Sequence, residues 1–176
     1  HDAELRQGGL RARFDVIVLP DETPARLLSG HAATEVPAEY AGGLGQPGTD
    51  AISAFVRGGG TLVCLNGSSD FAISRLNLPV VNSLAREATG QEVSRFYAPG
   101  PIFGVGLGGP GERSSSQEPL CLGYARHQDR LAGKAALVEV PVERGRLVLF
   151  GARPQFRGQT HGTFKLLFNA VRLAAP

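Results

Sequence analysis

The amino-acid sequence predicts an α/β fold with a mostly parallel sheet, because two apolar runs flank a helical segment. Residues 14–20 and 61–65 are short runs rich in β-branched and apolar residues, which is typical of strands buried on both faces of a parallel sheet. Residues 51–57 predict a helix, and the glycines at 58–60 end it just before the second strand. Strand, helix and strand together form a β-α-β unit.

The segments around this unit are predicted from their turn and capping residues. We expect a helical turn over residues 23–29 and a loop over residues 30–48, which are rich in Gly, Pro and small residues. Thr49 or Asp50 is placed to cap the long helix. The polar residues 66–69 then predict a tight turn after the second strand.

The second half of the chain predicts an antiparallel hairpin. Residues 135–142 alternate in polarity, residues 143–145 form a turn with a glycine, and an apolar run over 146–152 returns. An antiparallel hairpin should therefore join the parallel sheet near the C-terminus. Residues 108–130 have the composition of a flexible or divergent loop.

The last predicted element is an amphipathic helix capped by Thr160 or Thr163. Its apolar residues recur at i, i+3, i+4 and i+7, which places them on one face. We expect that face to dock on the sheet through Phe164, Leu167, Phe168 and Val171.

Composition excludes several functional classes. The 18 Lys and Arg residues nearly balance the 16 Asp and Glu residues, and the cations are scattered, so no nucleic-acid footprint is expected. Nothing approaches an apolar run of about 18 residues, the length that a membrane-spanning helix requires. We therefore expect neither a nucleic-acid partner nor a membrane span.

The two cysteines, Cys64 and Cys121, lack the spacing of a metal or redox motif. Cys64 lies inside an apolar strand, which predicts a buried and inert thiol. A disulfide to Cys121 is the alternative.

The histidines predict no metal site in this chain. None has a second His or a carboxylate at the spacing of a zinc motif such as H-x-x-E. They are His1, His31, His127 and His161.

The strand-turn-helix at residues 65–71 raises the question of a nucleophile. Ser68 is the best-placed candidate, but Asn66 and Asp70 stand where the pattern G-x-S-x-G has glycines. His161 is the candidate base, although a glutaminase histidine is followed two residues on by Glu rather than by Thr163. We therefore expect Ser68 and Asp70 to serve the turn and the helix cap, and no working triad.

A polar segment before the last helix is the strongest candidate for binding. Its side chains alternate and should lie beside Asn66 at the strand ends, where they could bind a carboxylate or a sugar. They could equally hydrogen-bond their own loop. The candidate binding residues are Asn66, Arg153, Gln155, Arg157 and His161.

Three blocks of sequence resemble a known family. They are RARFDVIVLPDE, GGGTLVCLNGSSDFAI with LNLPVVN, and LVEVPVERGRLVLFGARPQFRGQTHGTFKLLFNA. Together they are similar to the carboxyl-terminal region of bacterial zinc carboxypeptidases of the carboxypeptidase A type. That region is similar to class I glutamine amidotransferases and to ThuA-like proteins. The resemblance implies a flavodoxin-like sheet with helices on both faces.

The resemblance also implies a biological setting. Residues 1–176 would form a single amidotransferase-like domain that is truncated at its N-terminus, with the first strand of the sheet upstream of His1. It would be a non-catalytic accessory domain that supports an upstream peptidase domain, oligomerises or binds substrate. Zinc is expected only in that upstream domain, and the protein is expected to be secreted or periplasmic.

Two other functions stay open from the sequence alone. One is a small hydrolase or amidase that uses Ser68 with His161. The other is a carbohydrate-binding or scaffold module that uses the polar loop over residues 153–161.

Overall fold

The computed structural model describes residues 1–84, 102–103, 114–115, 120–122, 128–158 and 161–172. The chain forms two compact units, one comprising His1–Pro79 with Glu139–Pro176 and the other Val80–Val138. The helices are α1 (Asp2–Arg6), α2 (Pro24–Ser29), α3 (Gly45–Arg57), α4 (Gly67–Arg75) and α5 (His161–Arg172). The strands are β1 (Val16–Leu19), β2 (Thr61–Leu65), β3 (Ile102–Phe103), β4 (Ser114–Ser115), β5 (Leu120–Leu122), β6 (Ala135–Val142) and β7 (Gly145–Phe150).

The first unit is an α/β structure with a mixed sheet in the order β1-β2-β7-β6. Strands β1, β2 and β7 are parallel, with Val18 opposite Val63 and Val63 opposite Val148. Strand β7 returns beside β6 after a two-residue turn at Glu143 and Arg144, and the two strands form the antiparallel hairpin. The predicted α/β class, mostly parallel sheet and hairpin are confirmed.

Strand β2 is the centre of the core, and β1 is less enclosed than the sequence predicts. All five residues of β2 are buried, whereas Val18 in β1 is 43% exposed. The prediction that the first strand is buried on both faces is therefore wrong. Because β1 lies at the end of the strand order, one of its faces stays partly open to solvent.

Helix α3 begins earlier than predicted. Gly45 is its first residue, and the Thr49 hydroxyl donates to the Gly45 carbonyl at 2.7 Å instead of capping the helix. Pro47 is tolerated because the first-turn N–H groups of a helix have no partner within it. The helix packs on the sheet through Ile52, Phe55 and Val56, all of them buried.

Helix α2 agrees with its prediction, whereas α4 does not begin where expected. The Arg26 N–H donates to the Thr23 hydroxyl at 3.2 Å, which caps α2. Helix α4 starts at Gly67, so Asp70 lies within its first turn and does not cap it.

Residues 31–41 form a surface loop whose two ends meet at a narrow neck. The Gly42 N–H donates to the His31 carbonyl at 2.8 Å, and the Leu44 N–H donates to the Leu27 carbonyl at the same distance. A Cβ atom on Gly30 would lie 1.7 Å from the Gly42 carbonyl oxygen, and Gly30 has a φ of 67°. This neck therefore requires glycine at residue 30.

Helix α5 docks on a face that overlaps the predicted one only at Phe164 and Leu167, which are half-buried. Phe168 is 66% exposed and Val171 is 37% exposed, while the half-buried side includes Thr163, Leu166, Leu167 and Ala170. The docked face is rotated by about one residue, roughly 100° at 3.6 residues per turn. The Thr163 hydroxyl donates to the Pro154 carbonyl at 2.6 Å, which turns that side of the helix toward the domain. Thr160 lies outside the described residues.

The second unit contains short antiparallel pairings. Strand β3 pairs with β5, and β4 pairs with the first half of β6. The Arg130 guanidinium donates to the Ser83 carbonyl at 3.2 Å. Most of the predicted loop over residues 108–130 lies outside the described residues.

The Gly30→Ala substitution should lower the free energy of unfolding by roughly 2–4 kcal/mol, because the new methyl group overlaps the Gly42 carbonyl at a left-handed φ. Urea denaturation followed by circular dichroism measures the change. Gly162→Ala is the matched control, since a Cβ atom there meets nothing within 4 Å. Equal unfolding midpoints for the two variants would contradict the described neck.

Candidate functional site

The turn between β2 and α4 is a strand-turn-helix elbow whose apex is Asn66. Asn66 has φ 50° and ψ −113°, a strained combination that non-glycine residues rarely adopt. Small residues lie two positions before and after it, namely Cys64 and Ser68. A nucleophile elbow places its nucleophile at such an apex. The apex residue here is an asparagine, and the sequence analysis had centred the elbow on Ser68 instead.

The start of α4 at the elbow is occupied by the carboxylate of Asp21. One Asp21 oxygen accepts from the Gly67 N–H and from the Asn66 side-chain amide, each at 3.0 Å. Its other oxygen lies 3.1 Å from Nε of Arg153. We call these four residues, Asp21, Asn66, Gly67 and Arg153, the elbow cluster.

The elbow cluster forms because three parallel strands end at one edge of the sheet. Asp21 follows β1, Asn66 follows β2, and Arg153 follows β7. Ligand sites of open α/β sheets lie at this carboxyl edge. The sheet therefore brings the three side chains together from distant parts of the chain.

Close packing at Gly67 seals the elbow from the side of β1. A Cβ atom on Gly67 would lie 2.9 Å from the Glu22 carbonyl oxygen and 3.1 Å from Oδ1 of Asp21. Even a methyl group would displace the segment that follows β1. The backbone at the elbow is thus in contact with its neighbours and leaves little space for a ligand.

Ser68 lies two residues beyond the apex and has a structural role. Its side chain is fully buried, and its hydroxyl accepts from the Leu65 N–H at 2.8 Å. The same hydroxyl lies at donor distance from two carbonyls, that of Leu19 at 3.1 Å and that of Leu65 at 3.0 Å. It joins α4 to β1 and β2 and presents no oxygen to solvent.

The structure does not bring the other triad candidates to Ser68. The His161 ring is exposed at the start of α5 and packs against Phe164, with ring centroids 5.3 Å apart. Asp70 lies in the first turn of α4. Within the described part of the chain, no hydrogen bond joins Ser68 to either residue.

The Cys64 thiol is buried in β2 and is not part of a disulfide. Burial raises the pKa of this thiol to about 12, although a hydrogen bond from Ser68 opposes the shift. The sequence-based prediction of a buried thiol is confirmed.

The predicted binding residues separate into two groups. Asn66 and Arg153 meet through Asp21, and the Arg153 guanidinium also stacks over the Phe156 ring at 4.4 Å. Gln155 and His161 are exposed and do not join the elbow cluster. The side chain of Arg157 lies outside what the structure describes.

Sequence reasoning missed Asp21 as a member of the site. A signal was present, since Asp21 follows the strand that neighbours β2, and carboxyl ends of adjacent parallel strands converge. Asp21 had been interpreted only as the end of a strand.

The described residues add neither a metal-binding cluster nor the surface depression below to the elbow. Among the described residues, no group of three or more His, Cys, Asp and Glu side chains could hold a metal ion. A surface depression of about 430 Å³ lies elsewhere, near Glu4, Arg13 and Tyr40. No helix in the described ranges is long and apolar enough to cross a bilayer.

Comparison with protein-family models, with curated proteins and with solved structures found no match to this chain. The likeness to zinc carboxypeptidases therefore rests on the sequence blocks given above.

Ser68→Ala should destabilise the fold by roughly 1–3 kcal/mol, because it leaves the buried Leu65 N–H without an acceptor. Chemical denaturation measures the loss. Ser74→Ala in the same helix is the control, since the exposed Ser74 hydroxyl only donates to helix carbonyls and its removal should change stability by less than about 0.5 kcal/mol. A Ser68→Ala variant as stable as the parent would refute the structural role.

The Cys64 thiol should be unreactive in the native protein. Because burial raises the pKa of the thiol to about 12, very little of it is ionised at pH 8, and the thiolate is the reactive form. In a Cys121→Ser background, Ellman's reagent should react only after guanidinium unfolds the chain. Rapid reaction in native buffer would show that β2 opens readily.

Proposed function

We propose that this chain is a non-catalytic accessory domain of a bacterial zinc metallocarboxypeptidase, related to class I glutamine amidotransferases and ThuA-like proteins. In this proposal it supports the upstream peptidase domain, oligomerises or binds substrate. Zinc belongs to the upstream domain, and the protein is secreted or periplasmic. The flavodoxin-like arrangement of the sheet, with helices on both faces, is part of the same proposal.

The observation that supports the non-catalytic part of the proposal is the elbow, where the Asp21 carboxylate already occupies the start of α4. In elbow enzymes the N–H after the nucleophile helps to bind the oxyanion of the intermediate. The corresponding N–H here belongs to Gly67, and it already donates to Asp21. An anionic intermediate would have to displace a carboxylate that also pairs with Arg153.

The apex residue supports the same conclusion. An asparagine amide is not among the side chains that serve as nucleophiles in covalent catalysis, and Asn66 uses its amide to bind Asp21. The alternative nucleophiles are both enclosed, since Ser68 is buried with its hydroxyl bonded and Cys64 keeps its proton. The geometry thus favours an elbow that has the backbone shape of a nucleophile elbow but no side chain that can act as a nucleophile.

Assays on ester and amide substrates test the absence of catalysis. Neither the chain nor its Asp21→Ala variant should hydrolyse p-nitrophenyl acetate or release ammonia from glutamine above the buffer rate. The Asp21→Ala variant is informative because it leaves the Gly67 N–H free to bind an oxyanion. If this variant is also inactive, the lack of a nucleophile is enough to explain the lack of hydrolysis. Turnover that disappears in His161→Ala would overturn the proposal in favour of a hydrolase.

The reading frame upstream of the His1 codon tests the parentage. The proposal expects an H-x-x-E zinc motif in that frame. An upstream frame without a peptidase domain would contradict it, whatever the assays show.

A further inference from the structure

Helix α5 exposes an apolar stripe that faces away from the domain. Phe168 is 66% exposed, Val171 is 37% exposed, and Phe164 is half-buried. These residues are spaced i, i+4 and i+7, so they form one line along the helix. Exposed apolar residues that cluster in this way mark interaction surfaces more often than single ones do.

The stripe is held in place by the rest of the domain. The Thr163 hydroxyl donates to the Pro154 carbonyl, and Leu166 and Leu167 are half-buried on the same, docked side. The helix cannot rotate to bury Phe168 without breaking this bond. The stripe is therefore exposed to solvent unless a partner binds to it.

Positive charge lies beside the stripe. Lys165 and Arg172 are three residues before and four residues after Phe168, both are exposed, and neither forms an ion pair with a described residue. Helix α5 contains no Asp or Glu. Residues 144–176 hold six of the 18 Lys and Arg residues and none of the 16 Asp and Glu residues, so the rest of the chain has 12 cations against 16 carboxylates.

This charge distribution selects among possible occupants. Two copies of α5 packed together would place four cations at one interface without a carboxylate, and like charges disfavour such pairing. A lipid surface suits a helix that can sink its apolar face among acyl chains. Helix α5 is instead fixed to its domain and offers a stripe one side chain wide.

We propose that the apolar stripe of α5, with Lys165 and Arg172, docks an amphipathic helical segment of a protein partner whose apolar face is bordered by carboxylates. Such a segment covers Phe168 and pairs with the two cations, as helices do when they pack along an apolar seam bordered by charges. The inference does not use the absence of catalysis, so either proposal can fail without the other.

The probe is a fluorescein-labelled helical peptide whose heptads carry Leu at a and d and Glu at e and g. We expect it to bind the full chain in fluorescence anisotropy, with Phe168→Ala and Val171→Ala each weakening binding by roughly tenfold. Lys165→Glu should weaken it similarly, and added salt should weaken binding to the parent chain. Val81→Ala, at an exposed valine outside α5, should bind like the parent.

Four results would overturn the proposal. The first is that the Glu peptide does not bind, and the second is that a matched Lys peptide binds equally well. The third is that both alanine variants bind the Glu peptide as tightly as the parent does, and the fourth is that Lys165→Glu does not change the affinity. A dimer in analytical ultracentrifugation that dissociates on Phe168→Ala would assign the stripe to a second copy. Flotation with phosphatidylserine vesicles that requires Phe168 would assign it to a membrane.

Discussion

The carboxyl edge of the sheet depends on the contacts that the Asp21 carboxylate makes with the ends of its neighbouring strands. This carboxylate accepts hydrogen bonds from the turn after β2 and pairs with the arginine after β7, while its own backbone continues from β1. One side chain thus joins the ends of three parallel strands. The elbow keeps its strained apex because the surrounding contacts hold it there.

The strengths of these contacts show which partner contributes most to holding the Asp21 carboxylate in place. A hydrogen bond to a charged group contributes about 1.5–3 kcal/mol, which applies to the partly buried bond from the Gly67 N–H. The ion pair with Arg153 is worth only about 0–1 kcal/mol, because the arginine side chain is 48% exposed. The helix start therefore holds Asp21, and Arg153 mainly balances its charge.

The sequence predicts the architecture better than the site. The fully apolar β2 and the turn before β7 carry local signals, so the core strand and the hairpin were found. The elbow cluster joins residues up to 132 positions apart, Asp21 and Arg153, and no local pattern shows such a contact. The apex at Asn66 was missed because the G-x-S-x-G pattern was centred on Ser68, whereas backbone φ is not visible in a residue pattern.

The last helix illustrates a second limit. Periodicity places Phe164, Leu167, Phe168 and Val171 on one face, and that spacing is correct. The part of the circumference that meets the sheet also carries the Thr163 hydroxyl, which donates to the Pro154 carbonyl, and this contact is not visible in the apolar pattern. Hydrophobicity alone would therefore bury an apolar stripe that the structure exposes.

The neck beneath residues 31–41 has a consequence for how this chain can change over evolution. The loop leaves and re-enters the domain through adjacent backbone segments, so its length hardly affects the elements on either side. Doubling the length of a flexible loop costs only about 0.6 kcal/mol in closure entropy. Residues 31–41 can therefore take up insertions and new recognition sequences. Residue 30 must remain glycine, because a side chain there would overlap the Gly42 carbonyl.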